Sequence, residues 1–129
     1  MQNLAYDAAT QQWFMGVYRG TKPEFPNRLL YVVDAAAKPR LKKLVGQEPL
    51  EFGMTLPPSK QGLRHPSGTR GFEFKADVGI EPIGKGYFYV VKDFDDLSSG
   101  RKLESGTLEL YRWTGKGASG FERVERVAR

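Results

Sequence analysis

The chain contains no cysteine and a single histidine, His65. Without thiols it has no disulfides, no thiol nucleophile and no thiolate metal site. One histidine excludes a multi-histidine metal centre. No apolar run reaches the roughly 20 residues of a membrane-spanning helix, so no membrane span is expected. The start, Met1-Gln2-Asn3-Leu4-Ala5-Tyr6-Asp7, has neither a basic n-region nor an apolar h-region, so no secretory signal is expected. A signal removed beforehand leaves no trace. The compartment therefore stays open between the cytoplasm and a periplasm reached after signal removal. The sequence shows no internal repeat, no low-complexity tract and no second-domain boundary.

What is present suits one domain spanning residues 1–129. Hydrophobic residues make up 40% and charged residues 27%, enough for a single packed core. The net charge is +5, and its surplus is local. Lys38, Arg40, Lys42 and Lys43 fall within six residues with no acid among them. Lys60, Arg64, His65 and Arg70 follow within eleven, again with no acid. Such patches attract phosphates, anionic lipids or an acidic protein surface.

Most of the chain alternates with the period of a strand. Asn3–Tyr6 and 11–18 flank Asp7-Ala8-Ala9-Thr10, a four-residue hairpin loop, with Trp13, Met15 and Val17 placed on one face. Arg28–Asp34 reads as a strand covered on both faces. Leu50–Leu56, Gly71–Ala76 and Gly86–Lys92 are further strands. Thr107–Thr114 follows, where Tyr111 and Trp113 break the alternation and suggest a bulge or a doubly covered strand. Pro39, Leu41, Leu44, Val45 and Gly46 predict one short helix over Pro39–Val45. At the C-terminus, Phe121, Val124 and Val127 recur every third residue, and Glu122–Arg126 and Glu125–Arg129 have helical spacing. The loop 115–120 favours a strand there instead. The fold class expected is mostly β: an antiparallel sandwich or barrel of seven to eight strands with one short helix. The expected core is Trp13, Val17, Leu30, Val32, Phe72, Phe74, Phe88, Val90, Leu108 and Leu110.

Several motifs fail on inspection. Gly79 to Gly86 has phosphate-loop spacing up to its last position, where Gly86 replaces the required Ser or Thr and a strand follows. It reads as a turn before a strand. Gly115-Lys116-Gly117-Ala118-Ser119-Gly120 spells a dinucleotide fingerprint, but only nine residues follow it, too few for a βαβ unit. Asp93, Asp95 and Glu104 fall at EF-hand positions one, three and twelve, while Leu97 and Ser98 occupy positions needing an oxygen ligand and a glycine. They remain weak metal candidates within a solvated acidic loop that includes Asp96, and no calcium requirement or cofactor is expected. Catalysis would rest on His65 with Ser59 or Ser67, or on paired carboxylates, as in a small hydrolase. No nucleophile elbow supports it.

The segment 53–71 holds four Gly and three Pro in 19 residues and reads largely as a long basic loop. The partner-binding residues expected are Lys60, Arg64, His65 and Arg70, with Arg40, Lys42 and Lys43 of the neighbouring segment. Two functions follow. One is a non-catalytic protein-binding domain, of inhibitor or immunity type, that covers an acidic surface. The other is a barrel that binds single-stranded nucleic acid, with Tyr87 or Tyr89 stacking on bases. The basic residues lie apart from the aromatic strand 86–92, which favours the first.

Overall fold

The computed structural model describes residues 3–24, 26–57, 59–66 and 68–125. Ser67, Arg126, Val127 and Arg129 lie outside them. Three antiparallel strands, β1 (Asn3–Asp7), β2 (Gln12–Gly16) and β3 (Leu30–Asp34), form one sheet in sequence order. Two hairpins follow, β4 (Arg40–Lys43) with β5 (Phe52–Thr55), then β6 (Leu63–Arg64) with β7 (Arg70–Gly71). The second large sheet runs β11-β10-β9-β8, from β8 (Ile80–Gly84), β9 (Tyr87–Asp96), β10 (Leu103–Trp113) and β11 (Phe121–Arg123).

The two large sheets enclose one core. Strand β1 packs against β8 on one side. On the other, Leu30 and Phe72 exchange both backbone hydrogen bonds, at 3.1 and 2.8 Å, and Glu73 N–H donates to the Ala118 carbonyl at 2.8 Å. Arg28 reinforces this seam, pairing with Glu73 at 3.0 Å and donating to the Arg64 carbonyl at 2.9 Å. Phe14, Leu30, Val32, Phe72, Phe88 and Val90 are fully buried. Phe121 stacks on Phe74 at 4.3 Å, and Trp113 meets Phe14 and Phe72 edge-on at 5.0 and 5.1 Å. Such ring pairs add to the stabilisation from area burial alone.

The mostly β class holds, and the helix expected over Pro39–Val45 does not form. Among the described residues no helix forms at all. Arg40–Lys43 instead pairs with Phe52–Thr55, and Leu44 N–H donates to the Glu51 carbonyl at 2.8 Å. A seven-residue helix would need to nucleate unaided, whereas a partner strand lies one turn away. Among the described residues the strands also number eleven rather than seven or eight, because short segments pair. The stretch Gly79 to Gly86 holds β8, not merely a turn. Its bulge falls between Pro82 and Gly84, whereas the β9–β10 register across Thr107–Arg112 is regular. Of Gly71–Ala76, only Gly71 and the Phe72 bridge are paired. The C-terminal strand is β11.

The core list shifts by one residue in two strands. In β2, Phe14 and Gly16 face inward while Trp13, and Val17 just after the strand, are half-buried. In β10, Tyr111 and Trp113 pack on the core, leaving Leu110 half-buried and Leu108 63% exposed. Gly16 explains the first shift: a Cβ there would lie 2.4 Å from the Ala76 carbonyl oxygen, so only glycine lets β2 approach that backbone.

The β1–β2 loop is closed by a buried carboxylate. Asp7, 1% exposed, accepts from Ala9 N–H at 3.3 Å, Thr10 N–H at 3.1 Å and Thr10 Oγ1 at 2.7 Å. This is the local bonding that makes Asp a turn former. Asp7→Ala is expected to destabilise by about 1–3 kcal/mol, because the three hydrogen bonds that close the loop are lost with the carboxylate. The denaturant midpoint measures this; an unchanged midpoint would show that the loop closes without it.

Burial pushes the Tyr111 phenol up to about 12, aided by its hydrogen bond to Glu109. The folded state thus holds this proton more tightly than the unfolded chain. The contribution is complete below pH of about 10 and is lost as pH rises through the folded value. Absorbance titration of the native protein should show one late tyrosinate step, absent from Tyr111→Phe. Its persistence in that variant would assign it to another tyrosine.

Candidate binding surface

The β4–β5 hairpin stands off the body as an arm. Its strands pair with each other, and every residue of β4 is exposed. The register Arg40↔Thr55, Leu41↔Met54, Lys42↔Gly53 and Lys43↔Phe52 assigns its two faces, because side chains alternate along a strand. One face carries Leu41, Met54, Lys43 and Phe52. Continuing that register adds Val45 and Leu50. Leu41, Phe52 and Met54 are 66%, 63% and 66% exposed, and Val45 is 98% exposed. The other face carries Arg40, Lys42 and Thr55. With Ala37, Lys38 and Pro57 these residues line an open cleft of about 430 Å³ that includes no acidic side chain.

Pro57 borders a second cleft with Gln12, Asp34, Ser59, Lys60 and Gln61. The two clefts share Pro57, and the one that holds Lys60 also holds the acidic Asp34. Arg64 is exposed on β6. Arg70 and His65 are engaged locally: the Arg70 guanidinium donates to the Gly62 carbonyl at 3.0 Å, and His65 Nε2 meets the Pro26 carbonyl. Lys43 lies on the arm's opposite face. The seven basic residues singled out in the sequence thus divide. Arg40 and Lys42 line one cleft, Lys60 lines the neighbouring cleft that also holds Asp34, and Arg64, His65 and Arg70 belong to the β6–β7 hairpin.

The long loop is more ordered than its composition suggests. The Pro57 carbonyl accepts from Asp34 N–H at 3.2 Å, and Ser59 N–H donates to the Val32 carbonyl at 2.9 Å. His65 N–H reaches the Thr69 carbonyl at 2.8 Å. Reversing Arg70 would therefore disturb folding as well as charge.

The other candidate chemistries find little support. Ser59 is 8% exposed, and its Oγ accepts from Gln61 N–H at 3.1 Å. Asp93 and Asp95 lie within β9 and Glu104 within β10, not in a loop. Lys75 pairs with Asp93 and holds its carboxyl below the usual range, while Lys102 pairs with Asp95 at 3.4 Å. Among the described residues no group of three His, Asp or Glu side chains is arranged to hold a metal ion. Calcium would have to displace lysines already in place. Millimolar calcium should leave the melting temperature unchanged; a rise of several degrees abolished by Asp95→Asn would contradict this.

Of the two stacking residues expected, Tyr87 is half-buried opposite Arg112, and Tyr89 lies beside Leu108, Leu110, Val124, Glu109, Arg123 and Glu125. It pairs across strands with Glu81, and Arg123 is engaged by Glu109 at 3.0 Å. This surroundings is poorly suited to a nucleic-acid backbone, which needs unengaged cations near the stacked bases.

Periodicity in the sequence hid the arm. Leu41 reads as part of the helix Pro39–Val45, and Phe52 and Met54 as part of the strand Leu50–Leu56. The signal that could have found them was the Gly46 to Pro49 stretch, a turn lying between two alternating segments. Comparison with protein-family models, curated proteins and solved structures finds no match to this chain.

Proposed function

We propose that the chain is a non-catalytic protein-binding domain whose β4–β5 arm engages a partner with an acidic surface. One observation carries this reading: the arm presents an exposed apolar face and, behind it, a cleft lined by Lys38, Arg40 and Lys42 without an acid. Protein interfaces combine an apolar centre with a polar rim, and complementary charge speeds and orients encounter. A nucleic-acid surface would use the cations but has little use for Leu41, Phe52 and Met54 exposed together. An inhibitor or immunity-type role, covering an acidic enzyme surface, fits this geometry.

The test is affinity capture from extract of the source cell, with and without nuclease, using the natural chain and an Arg40→Glu, Lys42→Glu variant. The reading expects a protein that survives nuclease and is lost with the variant. Capture abolished by nuclease would support the single-stranded nucleic-acid reading instead.

A further inference from the structure

Arg40 and Lys42 sit two residues apart on β4, so their side chains share one face at a spacing of about 6.5–7 Å. Across the ladder they meet Thr55 and Gly53, neither of them charged. Lys38 lines the same cleft from the segment before β4. Among the described residues these three cations form no ion pair, whereas Arg19, Arg28, Lys75, Lys102, Arg112 and Arg123 each hold a carboxylate. Glu51, just before β5, reaches none of the three.

The register also shows which backbone groups of β4 are unused. Leu44 N–H donates to the Glu51 carbonyl at 2.8 Å, and the Arg40 carbonyl accepts from Thr55 Oγ1 at 3.2 Å. The backbone groups of Arg40, Lys42 and Leu44 therefore turn toward β5, because such groups alternate sides along a strand. Those of Leu41 and Lys43 turn to the opposite edge. No strand pairs with β4 there, and among the described residues no hydrogen bond reaches them. Strand β3 gives the contrast. Its second edge is closed: Leu30 bonds to Phe72, the Val32 carbonyl accepts from Ser59 N–H, and Asp34 N–H donates to the Pro57 carbonyl. An open edge with unused N–H and C=O groups is a template for an added strand.

We infer that an extended segment of the partner, acidic at alternate positions, adds to the free edge of β4 as a third strand. Its acidic side chains recur at the spacing of Arg40 and Lys42 and enter the cleft beside them. Opposite charges directly across a ladder are stabilising. The residues between the acids turn to the other face, beside Leu41, where apolar side chains cover its exposed surface. One strand thus matches both faces of the arm, the basic and the apolar, although these point in opposite directions. The free edge of β5 offers no such match, since its residues on the basic face are Gly53 and Thr55. The inference rests on the protein-binding reading and names the element of the partner that the arm takes.

Fluorescence anisotropy at low salt, with a short synthetic peptide alternating glutamate and valine, tests this. A peptide of the same composition with its glutamates grouped at one end is the control. The alternating peptide should bind at least tenfold more tightly than the grouped one. Arg40→Gln with Lys42→Gln should weaken its binding about tenfold. Lys85→Gln with Lys116→Gln, which removes the same charge from exposed sites elsewhere, should leave it unchanged. Methylating one alternate set of the peptide's backbone amides should abolish binding and methylating the other should not, because only one set faces β4. Equal binding of the two peptides, equal loss from both lysine and arginine pairs, or equal behaviour of both methylated sets would overturn the inference. An oligothymidylate that binds through Arg40 and Lys42 more tightly than the alternating peptide would overturn it in favour of a phosphate backbone. A chain that ignores every peptide, yet captures a nuclease-resistant protein through its arm, would overturn this inference while leaving the protein-binding reading in place. Capture abolished by nuclease would overturn that reading as well.

Discussion

Phe14→Ala should destabilise the protein by about 3–5 kcal/mol, a large part of the stability of a typical domain. Phe14 is fully buried in β2 and touches three other rings: Phe88 at 4.8 Å, Trp113 at 5.0 Å and Phe121 at 6.0 Å. Those rings come from β9, β10 and β11, so Phe14 joins the first sheet to the second. Removing it forfeits the transfer free energy of the ring and leaves a cavity that neighbouring aromatics, fixed by their own contacts, can fill only in part. Leu108→Ala is the matching control. It sits in a long strand and was expected in the core, yet its side chain points outward, so its cost should stay within about 0.5 kcal/mol. Denaturant unfolding of both variants checks the register of β2 and β10 together. Equal costs would place the inward face on the wrong set of residues.

Gly120→Val should destabilise by about 2–5 kcal/mol, through two causes that add: left-handed backbone strain and overpacking. Gly120 has φ of +73°, and a Cβ there would fall 2.6 Å from the Trp113 ring and 2.8 Å from the Phe72 ring. Its carbonyl also accepts from Thr114 and Gly115 N–H, at 2.9 and 3.0 Å, closing the β10–β11 loop. Gly117 gives the contrast. Its φ of +69° is similar, but nothing lies near the position of its Cβ. Gly117→Ala should therefore show the backbone cost alone, about 1–2 kcal/mol. Thermal unfolding of the two variants separates strain from crowding. Equal shifts would remove the packing role assigned to Gly120.

Strand identity was readable where a β-period run carried aromatic and β-branched residues. Tyr87 to Lys92 and Leu30 to Asp34 declared themselves in this way, and their buried residues Phe88, Val90, Leu30 and Val32 were assigned correctly. Facing was harder where both parities were apolar. In Gln-Trp-Phe-Met-Gly and Leu-Glu-Leu-Tyr-Arg-Trp the alternation supports either face. The choice was made by distant contacts: the Ala76 backbone against Gly16, and the Phe72–Trp113–Phe121 cluster against β10. The arm was misread because Leu41, Leu44 and Val45 satisfy a helical spacing as well as a hairpin, and cross-strand pairing to Phe52–Thr55 decides between them.

For the surface, charge runs were visible but their uses were not. Arg40 and Lys42 share a cleft because a strand, unlike a helix, points alternate residues the same way, and Lys38 lines it from the segment before β4. Arg70 and His65 looked similar in sequence, yet each is turned to a backbone carbonyl by the β6–β7 hairpin. Such bonds depend on where Gly62 and Pro26 fall in space, which local pattern does not specify.

That the arm is the binding element is tested most directly by amide hydrogen exchange on the chain alone and with its captured partner. Binding through the arm predicts slowed exchange at Leu41–Leu44 and at Phe52–Thr55, with the strands around Phe14 and Phe88 unchanged. Slowed exchange confined to the β6–β7 hairpin around Arg64, with the arm exchanging as in the free protein, would contradict it.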